Sequence, residues 1–248
     1  MVVARVHANG RFETIASEKE MVRLGSGSGD MKRLATDAVD RGVATLRRFR
    51  QVADISGARI RAVATSAVRE AHNQHDFLER ARTEAGVEVE VISGAEEARL
   101  IHLGVLQALP VFNERLALVD IGGGSTEVLV AEGPTIEWSR SHKLGAIRLT
   151  DRFFPGGTTS ARRADRCRQY LQSFLVNTAL ELRNHPFGLA VGSSGTIQNL
   201  AVMAAHLRGD APPKSINSAS FTRAELGKLT QLLLDARTTD EQIGRAHV

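Results

Sequence analysis

Two acids, three consecutive glycines and two hydroxyl residues lie close together in one short run of the sequence. The run comprises Asp120, Ile121, Gly122, Gly123, Gly124, Ser125, Thr126 and Glu127. Glycines let backbone N–H groups approach phosphate oxygens closely, and successive amides form a concave anion site. Hydroxyls add neutral donors, and carboxylate oxygens beside phosphate are where Mg²⁺ is usually held. The run predicts a phosphate loop with a magnesium site, because a hairpin turn with incidental acids needs fewer glycines.

A second group of polar residues stands where a predicted strand turns into a predicted helix. Thr65 and Ser66 end the strand, and Arg69 follows within one helical turn. An arginine can bind phosphate through two parallel hydrogen bonds, and neighbouring hydroxyls can donate to the other phosphate oxygens. A surface arginine with ordinary capping hydroxyls explains the same residues equally well.

Two further strand ends carry residues that are suited to phosphate chemistry. Glu96 and Glu97 open a predicted helix, but acids in a first helical turn are stabilised by the helix dipole without any function. The other strand end predicts a second phosphate cradle, with a plain tight turn as the alternative. Its glycine and hydroxyl residues are Gly192, Ser193, Ser194, Gly195 and Thr196.

Hydrophobic patterning places these motifs on an α/β framework. Strands are predicted at residues 2–6, 12–24, 60–64, 87–92, 116–121, 126–131, 136–141 and 189–191. Helices are predicted at about residues 34–49, 74–84 with Asn73 as N-cap, 95–108, 146–153, 161–183, 196–207 and 221–234. Residues 110–114 break the pattern, so two domains are predicted at residues 1–112 and 113–242.

Composition excludes several classes of protein. The 248 residues with 42% hydrophobic side chains are enough to bury a core, which excludes a disordered or fibrous chain. Because only 4% of the residues are aromatic, a surface on which nucleic-acid bases stack is disfavoured. The single cysteine excludes an intrachain disulfide framework. The absence of a long apolar run or a signal-peptide pattern predicts a cytoplasmic protein that does not contact a membrane.

Taken together, the motifs resemble one family, the exopolyphosphatase and guanosine pentaphosphate phosphohydrolase family of the actin-like ATPase superfamily. The resemblance extends from residue 1 to residue 235. It includes the glycine loop at 120–127, Ala-Thr-Ser-Ala-x-Arg at 64–69, Ser-Gly-x-Glu-Glu-Ala at 93–98, and the segments 143–149 and 192–197.

This resemblance implies two actin-like (ribonuclease H-like) domains with an active-site cleft between them. The implied reaction is Mg²⁺-assisted hydrolysis of a terminal phosphoanhydride of inorganic polyphosphate or guanosine pentaphosphate. Glu97 would be the general base and Arg69 would hold the terminal phosphoryl group. Asp120 and Glu127 would bind the metal or its waters, while residues 122–126 would cradle phosphate. A homodimer also fits the family.

The sequence departs from the family pattern at both ends. Family members carry an Asp-x-Gly-Ser-Asn-Ser loop before the strand that begins here at residue 1, so we expect the first strand and first phosphate loop to be missing. Residues 243–248 follow no pattern and are interpreted as a non-native tail. Two alternatives stay open: a non-catalytic phosphate- or alarmone-binding protein, and another actin-like ATPase, against which the Glu96 and Glu97 helix start argues.

Overall fold

The computed structural model describes residues 1–8, 10–25, 32–211, 213 and 215–235. The chain divides into two compact units, Met1–Ile92 and Ser93–Val248. The helix that begins at Gly94 therefore groups with the second unit, whereas the break in the sequence pattern comes after that helix. The predicted tail at 243–248 lies outside the described residues.

The first unit contains two separate two-stranded sheets among its described residues. An antiparallel pair joins β1 and β2, and a parallel pair joins β3 and β4. The elements are β1 (Val2–Val6), β2 (Phe12–Ser17), α1 (Thr36–Ile55), β3 (Ala62–Ala64), α2 (Ser66–Arg69), α3 (Gln74–Ala85) and β4 (Val89–Val91).

Strand β2 is shorter than the sequence pattern predicts. Its last residue, Ser17, pairs with Val2, and the pairing closes with a hydrogen bond from Glu18 N to Met1 O. Residues 18–24, which the predicted strand includes, are not in a strand. Asn9, between β1 and β2, lies outside the described residues.

Helices α1 and α3 pack around the apolar core of the first unit. Asn73 stands at the N-cap position of α3 as predicted, but its side chain does not cap the helix. Its Oδ1 accepts from Leu34 N at 2.9 Å, and its Nδ2 donates to Leu34 O at 3.0 Å. This paired contact fixes the segment before α1, because it satisfies both backbone groups of a buried residue.

The second unit is built on a four-stranded sheet in the order β7-β6-β5-β8. Strands β5 and β8 run parallel, and the other neighbours are antiparallel. The strands are β5 (Arg115–Ile121), β6 (Thr126–Glu132), β7 (Thr135–His142) and β8 (Leu189–Ser193). The helices are α4 (Gly94–Ala108), α5 (Ala146–Phe153), α6 (Ala161–Leu182), α7 (Ser194–Leu207) and α8 (Arg223–Asp235).

Side chains of β5 are buried on both faces of this sheet. Leu116 and Leu118 belong to a cluster that includes residues of α4, while Ala117 lies in a cluster with Trp138 of β7. Burial on both faces explains the continuous apolar run of this strand. Parallel pairing brings the carboxyl ends of β5 and β8 to the same edge of the sheet.

None of the helices in the described part of the chain has the length and apolar character that crossing a membrane requires.

Candidate active site

The two predicted phosphate loops lie side by side in the second unit. Asp120 at the end of β5 is the register partner of Ser193 at the end of β8, and the Ser193 side chain hydrogen bonds to the Asp120 carboxylate. Ser194 Oγ donates to Ile121 O at 2.9 Å. The sheet therefore unites two motifs that are some seventy residues apart in the sequence into one site.

The second loop combines a close approach with an unusual backbone conformation. Ser194, the first residue of α7, has a φ of 75°, a left-handed conformation that costs a serine about 1–3 kcal/mol. A Cβ on Gly192 would lie 2.3 Å from Ile197 Cγ2, so only glycine fits there. The bond from Ser194 to the first loop helps to hold this strained turn in place.

The first turn of α5 binds the carbonyls of the glycine loop. The four bonds run from Ala146 N to Gly122 O (2.8 Å), from Ile147 N and Arg148 N to Gly123 O (3.0 and 3.2 Å), and from Gly145 N to Gly124 O (3.3 Å). In a trans peptide, the N–H points opposite to the C=O. The amides of Gly123, Gly124 and Ser125 therefore point away from α5, which is the orientation that the predicted anion site requires.

The loop hydroxyls already have protein partners. Thr126 Oγ1 donates to Leu144 O at 2.8 Å. Ser125 is 3% exposed and hydrogen bonds to the Glu127 carboxyl. These two hydroxyls are thus already hydrogen bonded within the protein.

Two buried acids flank the glycine loop. Asp120 is 8% exposed and Glu127 is 2% exposed. Glu127 Oε1 accepts from Ser141 Oγ at 2.8 Å, while Oε2 is buried and has no hydrogen-bond partner among the described residues. Burial raises the pKa of Glu127 to about 7; the charges of Glu97 and Asp120 also raise it, and the hydrogen bonds from Ser141 and Ser125 oppose the rise. Burial likewise raises the pKa of Asp120, against the bond from Ser193.

The carboxylates of Asp120 and Glu127 are compatible with a Mg²⁺ ion whose other ligands would be waters and substrate phosphate oxygens. The described residues contain no group of three or more His, Cys, Asp or Glu side chains that could hold a metal ion. Mg²⁺, however, usually takes one or two carboxylates together with waters and substrate phosphates. Burying a carboxylate oxygen without a partner, as with Oε2 of Glu127, costs free energy, and a cation bound to that oxygen would offset the cost.

The structure distinguishes the two adjacent glutamates at the start of α4. Glu96 forms a bidentate ion pair with Arg99, and both N–O distances are 2.7 Å. The backbone N–H of Glu96 donates to the N-cap hydroxyl of Ser93. Glu97 is half-buried, and its negative charge contributes to the raised pKa of Glu127 in the glycine loop. Of the two acids, Glu97 is therefore the one whose charge acts on Glu127, and its predicted role as general base stays a prediction.

The predicted phosphate contacts of the first unit have local partners. Arg69 Nη1 donates to Ile92 O at 2.6 Å, and buried Ser66 Oγ donates to Glu70 Oε1 at 2.8 Å. Thr65 occupies the N-cap position of α2 without a side-chain capping bond. Arg69, Thr65 and Ser66 thus form one cluster within the first unit, and their predicted contact with phosphate stays a prediction.

Comparison with known proteins identifies the family of the chain. Residues 2–243 match the model of the Ppx/GppA phosphatase family. The chain belongs to the Ppx/GppA phosphatase family. The family that the motifs predict is confirmed, and with it the phosphohydrolase class.

Solved structures of Ppx/GppA proteins show the same fold. An exopolyphosphatase from Cytophaga hutchinsonii is 29% identical, with a TM-score of 0.85, over 95% of this chain and 76% of its own. The Ppx/GppA family member from Aquifex aeolicus is 26% identical, with a TM-score of 0.77, over 99% of this chain and 78% of its own. The predicted actin-like α/β fold is confirmed.

Sequence reasoning missed two residues of this Ppx/GppA site. Ser141 is the register partner of Glu127 on the adjacent strand, so only the strand pairing reveals its contact. Arg148 lies in the segment 143–149 that contributed to the resemblance, but it was given no role. It is 6% exposed, and its Nε donates to Gly124 O at 3.1 Å.

Replacing Glu127 by glutamine removes one source of pH dependence from the stability of the metal-free protein. The pKa of this carboxyl rises from 4.5 to about 7 on folding, so its contribution is fully present below pH 4.5 and is lost as the pH rises through 7. The free energy of unfolding of the wild type should fall, relative to Glu127→Gln, by on the order of 3 kcal/mol between pH 4.5 and pH 8. Urea titrations in EDTA at several pH values measure this difference, and parallel curves for the two proteins would contradict it.

Proposed function

We propose that the protein hydrolyses the terminal phosphoanhydride bond of inorganic polyphosphate or guanosine pentaphosphate and releases phosphate. The observation that carries the proposal is the convergence of two phosphate loops and two buried acids at one sheet edge, with Glu97 close enough for its charge to act on Glu127. The family and its exopolyphosphatase relative support the reaction class.

The loop amides account for binding of the phosphate chain. The N–H groups of Gly123, Gly124 and Ser125 are fixed before substrate arrives, because α5 holds the carbonyls of the preceding residues. Fixed donors stabilise charge on phosphate oxygens without reorganising during the reaction. Phosphoryl transfer depends mainly on such positioning and charge stabilisation.

Glu97 acts on the attacking water in this proposal. Its carboxylate is half-buried at the start of α4, and the ion pair with Arg99 belongs to Glu96. A carboxylate in hydrogen-bond reach of water orients it and accepts its proton as the bond to phosphorus forms. The proton passes to Glu97, and the leaving phosphate keeps the electron pair of the broken P–O bond.

Asp120 and Glu127 would hold Mg²⁺, directly or through its waters. When bound, the ion neutralises charge on the phosphate oxygens. Ser141 and Ser125 keep the Glu127 carboxyl in place by hydrogen bonding to it. The bond from Ser141 goes to Oε1, and Oε2, which is buried without a hydrogen-bond partner among the described residues, is the oxygen that would bind the cation.

Phosphate release from three substrates tests the proposal. Polyphosphate, guanosine pentaphosphate and ATP are supplied at equal concentrations of terminal phosphate, with Mg²⁺ or with EDTA, and free phosphate is measured. We expect Mg²⁺-dependent release from polyphosphate or guanosine pentaphosphate that exceeds release from ATP. Faster ATP hydrolysis would identify another actin-like ATPase, and Mg²⁺-dependent binding without release would identify a non-catalytic binding protein.

A further inference from the structure

Arg148 is a buried arginine that touches the glycine loop twice. Its side chain and backbone are together 6% exposed, which is rare for arginine unless the guanidinium is well hydrogen bonded. The side-chain Nε donates to Gly124 O at 3.1 Å, and the backbone N donates to Gly123 O at 3.2 Å. One residue of α5 thus binds two consecutive carbonyls of the loop.

These two bonds set the direction of the next two amides. Each carbonyl shares a planar trans peptide with the following N–H, so fixing the oxygens of Gly123 and Gly124 directs the N–H groups of Gly124 and Ser125 away from α5. Consecutive glycines otherwise leave the backbone free to rotate. A rotated peptide would turn a carbonyl oxygen toward the anion site, where it would repel phosphate.

The side-chain bond is the one that depends on residue type. The backbone bond from position 148 would form with other residues in the helix, and Gly145 N lies at a long 3.3 Å from Gly124 O. The charged Nε–H makes the shorter bond to this carbonyl, and bonds from charged donors are about twice as strong as neutral ones.

We infer that Arg148 is a positioning residue of the phosphate loop, which holds the Gly124 carbonyl so that the following amide faces phosphate. This inference rests on the proposed function, because it names what keeps the proposed phosphate cradle in its binding conformation.

Arg152 offers a matched control on the same helix. It stands one turn after Arg148, is exposed, and donates from Nη1 to Tyr170 Oη at 3.0 Å. Its guanidinium carbon lies 4.2 Å from the centre of the Tyr170 ring. Replacing Arg152 removes an arginine of α5 without touching the loop carbonyls.

The test compares Arg148→Met, Arg148→Lys and Arg152→Met in the full chain. Calorimetry gives the Kd for inorganic phosphate, and steady-state assays give kcat and KM for polyphosphate and guanosine pentaphosphate. Arg148→Met should raise the Kd for phosphate by about tenfold or more, the scale of one lost hydrogen bond from a charged group. Arg148→Lys retains a charged donor but not the Nε–H, so it should recover only part of that loss and still bind phosphate more weakly than the wild type. Arg152→Met should stay within about twofold of the wild type.

Circular dichroism and thermal melting separate loop positioning from folding. A phosphate affinity within twofold of wild type in folded Arg148→Met would overturn the inference. If Arg148→Met does not fold, the lysine variant decides: we expect it to bind phosphate more weakly than wild type but detectably, and an unchanged Kd would overturn the inference.

If the wild type binds phosphate but releases none from either substrate, the proposed function fails while the comparison of Kd values still tests Arg148. No phosphate binding by the wild type would overturn both.

Discussion

Replacing Glu97 by glutamine lowers kcat for terminal phosphate release by about 10²-fold or more, the usual scale for a lost general base. Glutamine keeps the size of the side chain but cannot accept the proton of the attacking water. The KM for substrate should change little, because the loop amides that are proposed to bind phosphate remain in place. Steady-state phosphate release with Mg²⁺ measures both constants.

Glu96→Gln is the control for this prediction. Glu96 lies in the same helical turn, but its carboxylate is bound to exposed Arg99. Exposed ion pairs contribute about 0–1 kcal/mol, so this variant should fold and retain kcat within about threefold. Equal rates for Glu97→Gln and wild type would remove Glu97 from the reaction, and a large loss in Glu96→Gln would reverse the assignment of the pair.

Replacing Gly145 by alanine displaces the phosphate loop. An added Cβ would lie 2.2 Å from the carbonyl carbon and oxygen of Gly123 and 2.3 Å from Gly124 N, so the backbone must move by about 1 Å or more. A displacement of this size in a positioned site costs about 10²-fold in rate. We expect kcat/KM to fall by that factor, together with a weaker Kd for inorganic phosphate.

Gly104→Ala tests whether the loss in Gly145→Ala comes from the loop. Gly104 is exposed in α4, and an added Cβ there meets no atom within 4 Å. Alanine is the better helix former by about 0.5–1 kcal/mol, so this variant should be slightly more stable than wild type and equally active. Gly145→Ala with wild-type kinetics would show that the loop tolerates the displacement.

The sequence by itself determined the elements and the chemical character of the site. Hydrophobic periods of two and 3.6 residues are local properties, and each predicted strand and helix is present. The bounds differ most for β2, which ends at Ser17 instead of residue 24, for α1, which continues to Ile55 instead of residue 49, and for β4, which has three residues instead of six. The glycine loop could also be predicted from the sequence, because three consecutive glycines exceed what a hairpin turn needs and successive amides can form an anion site. The order of the motifs indicated the family, which the family model confirms.

Only the tertiary structure decided which side chains act together. Local sequence does not distinguish the two acids at 96–97, and the choice of Glu97 came from the family resemblance. In the structure, the direction of each side chain on α4 pairs Glu96 with Arg99, while the charge of Glu97 acts on Glu127. The contact of Ser141 with Glu127 depends on strand register, and that of Arg148 with Gly124 depends on where α5 packs. Such contacts join residues that are distant in sequence and leave no periodic signal, because they arise from packing of whole elements rather than from local backbone preference.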